Sequence, residues 1–276
     1  MTNPLIQAYR KPGMYIALPS GGKYYNTKPK LSVDGELAIY SMTARDELVS
    51  KTPDALFNGE ATFSLIQSCA PDIGDPQEMP VNDLIVVLIA IRMATYGDSI
   101  DVDVKCPECD HTNQLGVSTN ALLSTIKENN ASDKVTLDNK FVIKCKPYNL
   151  ADRTKLQIQR IKQQKLIQNL GDAALTDEER QTRFGETFLE IADLTVSLIA
   201  NAILQVQPPE GETVDDRLLI LEWLKSITKT DYDKIRICVE GLSDNGVDTK
   251  FTAECVECKH TWETNIDLDI ANFFAG

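Results

Sequence analysis

Two distant stretches of this chain read almost alike: Cys106-Pro107-Glu108-Cys109-Asp110-His111-Thr112 and Cys255-Val256-Glu257-Cys258-Lys259-His260-Thr261. Between them they hold four of the seven cysteines and both histidines. Residues 99–105 and 247–254 read as strands leading into these turns, and the chain stays extended after each. Two Cys-x-x-Cys turns on two hairpins are what a tetrahedral zinc site of the ribbon type requires. The spacing predicts that Cys106, Cys109, Cys255 and Cys258 hold one structural zinc ion. The chain would leave this site as an excursion and return to close it. Four thiolates leave no coordination position for water, so such a site braces a fold rather than catalysing a reaction.

The neighbouring residues fit that reading. His111 and His260 each lie two positions beyond the second cysteine of their turn, where a complete thiolate set makes them unnecessary as ligands. Glu108 and Glu257 occupy matching turn positions, and as carboxylates beside an anionic zinc–thiolate centre they are expected to face water. A thioredoxin-like redox pair would need a Cys-x-x-Cys at a helix start in a βαβ context. Here both pairs follow strands.

The remaining cysteines, Cys69, Cys145 and Cys238, lie in or beside apolar runs and read as small buried residues. An odd number of cysteines and an N-terminus without a signal-peptide pattern predict reduced thiols in a chain that stays where it is made. The longest apolar run, residues 84–91, is far short of the roughly 20 residues that span a bilayer, so no membrane segment is expected. The net charge of -13, from 28 basic and 41 acidic residues, disfavours a general phosphate-binding surface.

Along the chain, residues 14–18 and 35–40 read as short strands. The turn Pro19-Ser20-Gly21-Gly22 between them is expected to display Tyr24 and Tyr25. It falls short of a phosphate-binding loop because Tyr24 stands where Ser or Thr would hold magnesium. Thr43 caps a helix from Ala44, Thr52-Pro53-Asp54 writes a second helix start, and a third helix covers about 61–69. Asn82 is expected to cap a helix running to about Thr95 and stopped by Gly97. That helix is apolar on nearly every face and should be central to the first half's core.

Beyond the first turn, residues 118–133 read as loop with one short helix. Residues 135–146 read as a hairpin turned at Asp138-Asn139, and Asn149 caps a long helix over about 150–170. That helix carries Arg153, Lys155, Arg160, Lys162 and Lys165 against the single acid Asp152. It is either a solvated face over Leu156, Ile158, Ile161 and Ile167 or a docking helix for an acidic partner. Thr176 opens another helix with a capping-box pattern, and its apolar continuation over 188–206 should be the core helix of the second half. Further helices are expected over about 214–226 and 231–240. Phe273 and Phe274 close the chain as a fold-back or an anchor for a partner.

In order and spacing, three segments together with the first Cys-x-x-Cys resemble the T4-type bacteriophage baseplate hub proteins. They are Leu18-Pro19-Ser20-Gly21-Gly22-Lys23-Tyr24-Tyr25, Ser41-Met42-Thr43-Ala44-Arg45-Asp46-Glu47 and Arg92-Met93-Ala94-Thr95-Tyr96-Gly97. The match covers residues 13–115 well and the helical remainder loosely. It implies a structural or assembly protein of a contractile tail, built into or acting on the central hub of the baseplate, with no catalytic residues.

The expected fold class is α+β. Residues 1–98 form a mixed strand and helix part, and 99–117 plus 247–268 form a zinc-ribbon-like module. Residues 118–246 form a large, mainly helical insertion, and 269–276 a tail. The implied partners are other hub or tail proteins, the tape measure protein among them, met in the host cytoplasm during assembly and in the virion baseplate afterwards. Nucleic acid and membrane are not expected partners, and no enzymatic activity is expected: the chain has no nucleophile elbow, no His-Glu-x-x-His and no complete phosphate loop. Two other readings compete. One is an assembly chaperone for a tail or tape measure protein, absent from the mature virion. The other is a zinc-ribbon nucleic-acid binder.

Overall fold

The computed structural model describes residues 9–50, 59–126, 131–169, 177–244, 247 and 250–265. At 50, 160, 162–169, 177–184 and 186–188 it describes the backbone alone. Among the described residues the chain is a mixed α/β protein with eight α-helices, three two-stranded sheets and one three-stranded sheet. It divides into two compact units, Met1–Asn129 with Asn245–Gly276, and Asn130–Asp244. The helix start expected at Thr52-Pro53-Asp54, the capping box at Thr176 and the terminal Phe273 and Phe274 lie outside the described residues.

In the first unit, β1 (Met14–Ala17) and β2 (Glu36–Ile39) form an antiparallel hairpin. Helices α1 (Ala44–Ser50), α2 (Glu60–Cys69) and α3 (Val81–Tyr96) follow. Helix α3 is apolar all round, and every residue from Asn82 to Arg92 is buried, as a helix with no polar face must be. Each fully buried Leu, Ile or Val contributes roughly 1.5–3 kcal/mol of transfer free energy, which makes α3 the main source of cohesion in this unit. Its start differs from expectation. Pro80 occupies the N-cap and Asn82 lies inside the first turn, 1% exposed, with no side-chain cap bond. The proline carries the boundary instead, because its fixed φ favours the helix entry.

The segments that carry the family resemblance converge on α3. Asp83, fully buried, accepts hydrogen bonds from the Ser20 amide (2.8 Å), the Ser20 hydroxyl (2.5 Å) and the Tyr25 hydroxyl (2.8 Å). The turn between is tight because Gly21 and Gly22 hold φ of 61° and 75°, values that cost an L side chain energy. Tyr25 is therefore buried rather than displayed. At the other end of α3, the Ser41 hydroxyl donates to the Ala94 carbonyl (2.6 Å) and the Met42 amide to Thr95 Oγ1 (2.9 Å). Thr43 and Asp46 cap α1 reciprocally: the Asp46 amide donates to Thr43 Oγ1, and Asp46 Oδ2 accepts from the Thr43 amide. Ser68 on α2 also donates to Asp46 Oδ2 at 2.8 Å, tying α1 to α2.

The second unit contains the three-stranded antiparallel sheet β5 (Lys134–Thr136), β6 (Val142–Cys145) and β7 (Ile203–Gln207). Its helices are α5 (Leu150–Asn169), α6 (Asp177–Ala202), α7 (Arg217–Ser226) and α8 (Lys229–Leu242). The cap expected for α5 is in place, Asn149 Oδ1 accepting from the Asp152 amide at 2.8 Å. Strand β7 corrects the expectation of one helix over 188–206. The apolar residues Ile199, Ile203 and Val206 continue a helical spacing through the boundary, so periodicity alone cannot mark the change. The partner decides: β6 pairs Ile143 with Val206, and the Lys146 amide donates to the Ala202 carbonyl at 2.8 Å where helix gives way to strand. Val214 bridges Val206 beside the sheet, so α7 starts later than expected, at Arg217. Asp216 caps it, accepting from the Leu218 and Leu219 amides. Ile143, Ile199, Ile203, Ile220, Leu224, Ile235 and Val239 form the centre of this unit's core.

Candidate metal centre

Two hairpins of the first unit end in the two cysteine turns. Strands β3 (Ser99–Lys105) and β4 (Thr112–Ser118) pair antiparallel with Lys105 opposite Thr112. Strands β8 (Lys250–Glu254) and β9 (Thr261–Asn265) do the same with Glu254 opposite Thr261. The alternation Ile100, Val102, Val104 against Ser99, Asp101, Asp103 drives β3, with Ile100 and Val104 buried and the acids exposed. Short helix α4 (Thr119–Ser124) follows β4 and packs against α3, joining the first hairpin to the core.

The turns match bond for bond. In one, the Cys106 amide donates to the His111 carbonyl (2.9 Å) and the Asp110 amide to the Cys106 carbonyl (3.0 Å). In the other, the Cys255 amide donates to the His260 carbonyl (2.9 Å) and the Lys259 amide to the Cys255 carbonyl (3.0 Å). Both turns reverse through a left-handed residue at the same place, Asp110 with φ of 57° and Lys259 with φ of 61°.

This repeated geometry brings the four predicted cysteines together. Their sulfurs all lie within 4.8 Å of one another. Cys106 Sγ is 3.6 Å from Cys258 Sγ, and Cys109 Sγ is 3.6 Å from Cys255 Sγ, although the latter two are 146 residues apart in the chain. Each close pair joins the first cysteine of one turn to the second of the other. A disulfide would need about 2.05 Å, and all four are free thiols. A tetrahedron with metal–sulfur bonds of about 2.3 Å has edges of about 3.8 Å, so the spacing and the donor set fit a zinc ion. Cys106 and Cys255 are buried while Cys109 and Cys258 are exposed, which leaves one side of the cluster open to solvent.

The electrostatics point the same way. The Cys258 and Glu257 amides donate to Cys255 Sγ, and these bonds, that of Cys258 foremost, draw its thiol down to about 6. The His111 amide favours the Cys109 thiolate too, but desolvation and the three neighbouring sulfurs outweigh it and push Cys109 up to about 12. One negative sulfur thus forms easily and opposes ionisation of the next. A divalent cation at the centre would let all four ionise together.

Asn113 is the residue that sequence reasoning missed. Buried to 1% exposure, it donates from Nδ2 to the His111 carbonyl (3.1 Å) and accepts at Oδ1 from the Val256 amide (2.8 Å). One side chain thereby ties the first turn to the second. The only available signal was a polar residue at a strand position where the second turn carries Trp262. His260 stacks on Trp262 with ring centroids 6.1 Å apart, and the ligand atoms that group together are the four sulfurs, without either histidine. Glu108 and Glu257 are exposed, as expected. Of the other cysteines, Cys69 and Cys145 are buried and Cys238 is half-buried.

No helix among the described residues is long and apolar enough to cross a membrane. The basic residues expected on α5 are described only in part: Lys155 is exposed and Arg153 half-buried. Asp152, their acidic neighbour, is buried and accepts from Asn201 Nδ2 at 3.1 Å. No curated protein and no solved structure matches this chain. A protein-family model does match it, over residues 13–275, nearly its whole length and both cysteine turns included: the chain belongs to the T4 bacteriophage base plate protein family.

Proposed function

We propose that the protein is a non-enzymatic structural component of the hub of a contractile-tail baseplate, braced by one zinc ion on Cys106, Cys109, Cys255 and Cys258. Family membership supports the tail role and contact with other baseplate proteins. The observation that carries the zinc is the clustering of four free sulfurs from two matching turns within 4.8 Å. The bound ion, with four thiolates, stabilises the fold and offers no open position. It closes a ribbon-like module of residues 99–117 and 247–268, the mainly helical residues 118–246 forming the loop between its two parts. Closing so long a loop restricts the unfolded chain by roughly 5 kcal/mol in the chain-entropy model. The braced chain then offers its surfaces to neighbouring hub proteins or the tape measure protein, in the host cytoplasm during assembly.

The test pairs a metal assay of freshly purified, fully reduced protein with mass spectrometry of purified virions and of proteins co-purifying from infected cells. One zinc per chain and presence in the virion with hub proteins are expected. Absence from virions together with association in infected cells would replace the reading with an assembly chaperone. Salt-sensitive retention of DNA or RNA in a filter assay would replace it with a nucleic-acid binder, which the net charge of -13 disfavours.

A further inference from the structure

The second unit carries an apolar groove of about 210 Å³ between the sheet and α7, lined by Phe141, Val206, Pro208, Val214, Leu219 and Trp223. Its aromatic wall is a stacked pair: Phe141 and Trp223 have centroids 5.7 Å apart and planes inclined by 17°. Leu219 stands 55% exposed at the mouth, and its neighbour Leu218 is 76% exposed. The volume is below the roughly 300 Å³ at which small-molecule pockets begin, and suits one or two large side chains of another chain. Aromatic anchors in a pre-formed apolar slot are typical of protein-binding hot spots.

The surroundings say what kind of chain. Glu210, Glu212, Asp215, Asp216 and Glu222 are all exposed on the segment that contributes Pro208, Val214, Leu219 and Trp223. Three exposed cations, Lys140, Arg217 and Lys225, lie within two residues of a lining residue, and Lys225 is paired with Asp193. With five exposed acids on the segment that lines it, the slot lies in a stretch of chain that repels nucleic acid and acidic peptides and steers a cationic segment toward it.

We infer that this groove docks a basic amphipathic segment of a partner protein, which seats an aromatic or branched apolar side chain against Phe141 and Trp223 and pairs lysine or arginine with the exposed acids of the 210–222 segment. The inference rests on the tail-protein reading for the partner's origin, but its chemistry is independent of the zinc centre.

Trp223 supplies the readout, being one of two tryptophans in the chain. The full-length protein is titrated with a short helical peptide bearing leucine and phenylalanine on one face and lysine on the other, and with its glutamate-for-lysine counterpart. The lysine peptide gives a saturable tryptophan blue shift that weakens at about 1 M salt, where the Debye length falls to roughly 3 Å. Leu219→Glu, a change at a half-exposed position, weakens binding roughly tenfold or more. The double variant Glu212→Gln/Asp215→Asn weakens it less and flattens its salt dependence. No saturable change with either peptide, or equal binding of both, overturns the inference. So does concentration-dependent self-association that Leu219→Glu abolishes, which would make a second copy of this chain the occupant. Zinc content measured on the same samples separates failure here from failure of the metal reading.

Discussion

Asn113 and Asp83 show how single polar side chains organise the first unit. Removing Asn113 leaves the Val256 amide without its side-chain acceptor and frees the second turn from the first. Asn113→Ala is expected to cost about 1–3 kcal/mol and, acting as an outer-shell support, to weaken zinc binding roughly 10- to 100-fold. Competition with a chromogenic chelator measures this directly, and Asn113→Asp, which keeps the acceptor, should recover part of the loss. Asp83 makes a different prediction. Burial pushes its carboxyl above the ordinary value of 3.8, against the lowering effect of its bonds from Ser20 and Tyr25. The folded state then holds this proton more tightly than the unfolded chain. Its contribution to stability is therefore greatest below the ordinary value and declines as pH rises through the elevated one. Thermal melts from acid toward neutral pH should show a shallower decline in Asp83→Asn than in the wild type. Asp83→Ala, which strands three donors at once, should cost about 2–4 kcal/mol in acid and less as pH rises through the elevated value.

The same physics governs which elements could be read from the sequence. Strand β3, helices α1 and α5 and the β5–β6 hairpin were legible because local signals agreed: alternation in Ile100, Val102 and Val104, caps at Thr43 and Asn149, a turn at Asp138-Asn139. Strand β7 was not, since Ile203 and Val206 satisfy a helical and an extended spacing alike, and only pairing with β6 selects the strand. Tyr25 was misread for a related reason: its partner, Asp83, is 58 residues away. The four cysteines were legible because a thiolate set with paired spacing carries its own geometry, whereas Asn113 acts through one amide on a distant turn and leaves no local trace. At this scale helix α3 carries the unit. Ile89→Ala, at a position with no exposure, should cost about 2–5 kcal/mol, read by urea denaturation. Asp110→Gly and Lys259→Gly relieve left-handed strain in the turns and should be neutral or stabilising by up to about 1 kcal/mol.

Over the whole molecule, the chain forms one unit from its two ends and another from residues 130–244 between them. All four cysteines belong to the first. Metal binding should therefore stabilise the two units unequally. Chelation under reducing conditions is expected to lower the transition of the first unit in a urea titration, while the second, with its own core around Ile143, Ile220 and Ile235, keeps its midpoint. Membership of the baseplate family supports a structural role in the tail, and in the proposed reading the cysteine cluster braces the unit that contains it. The most direct test of this account is the zinc content of freshly purified, fully reduced protein beside that of Cys255→Ser/Cys258→Ser. The account predicts one zinc per chain in the wild type, none in the double variant, and a lowered first transition in that variant alone. Metal-free wild type, or a double variant that keeps its zinc and its stability, would contradict it.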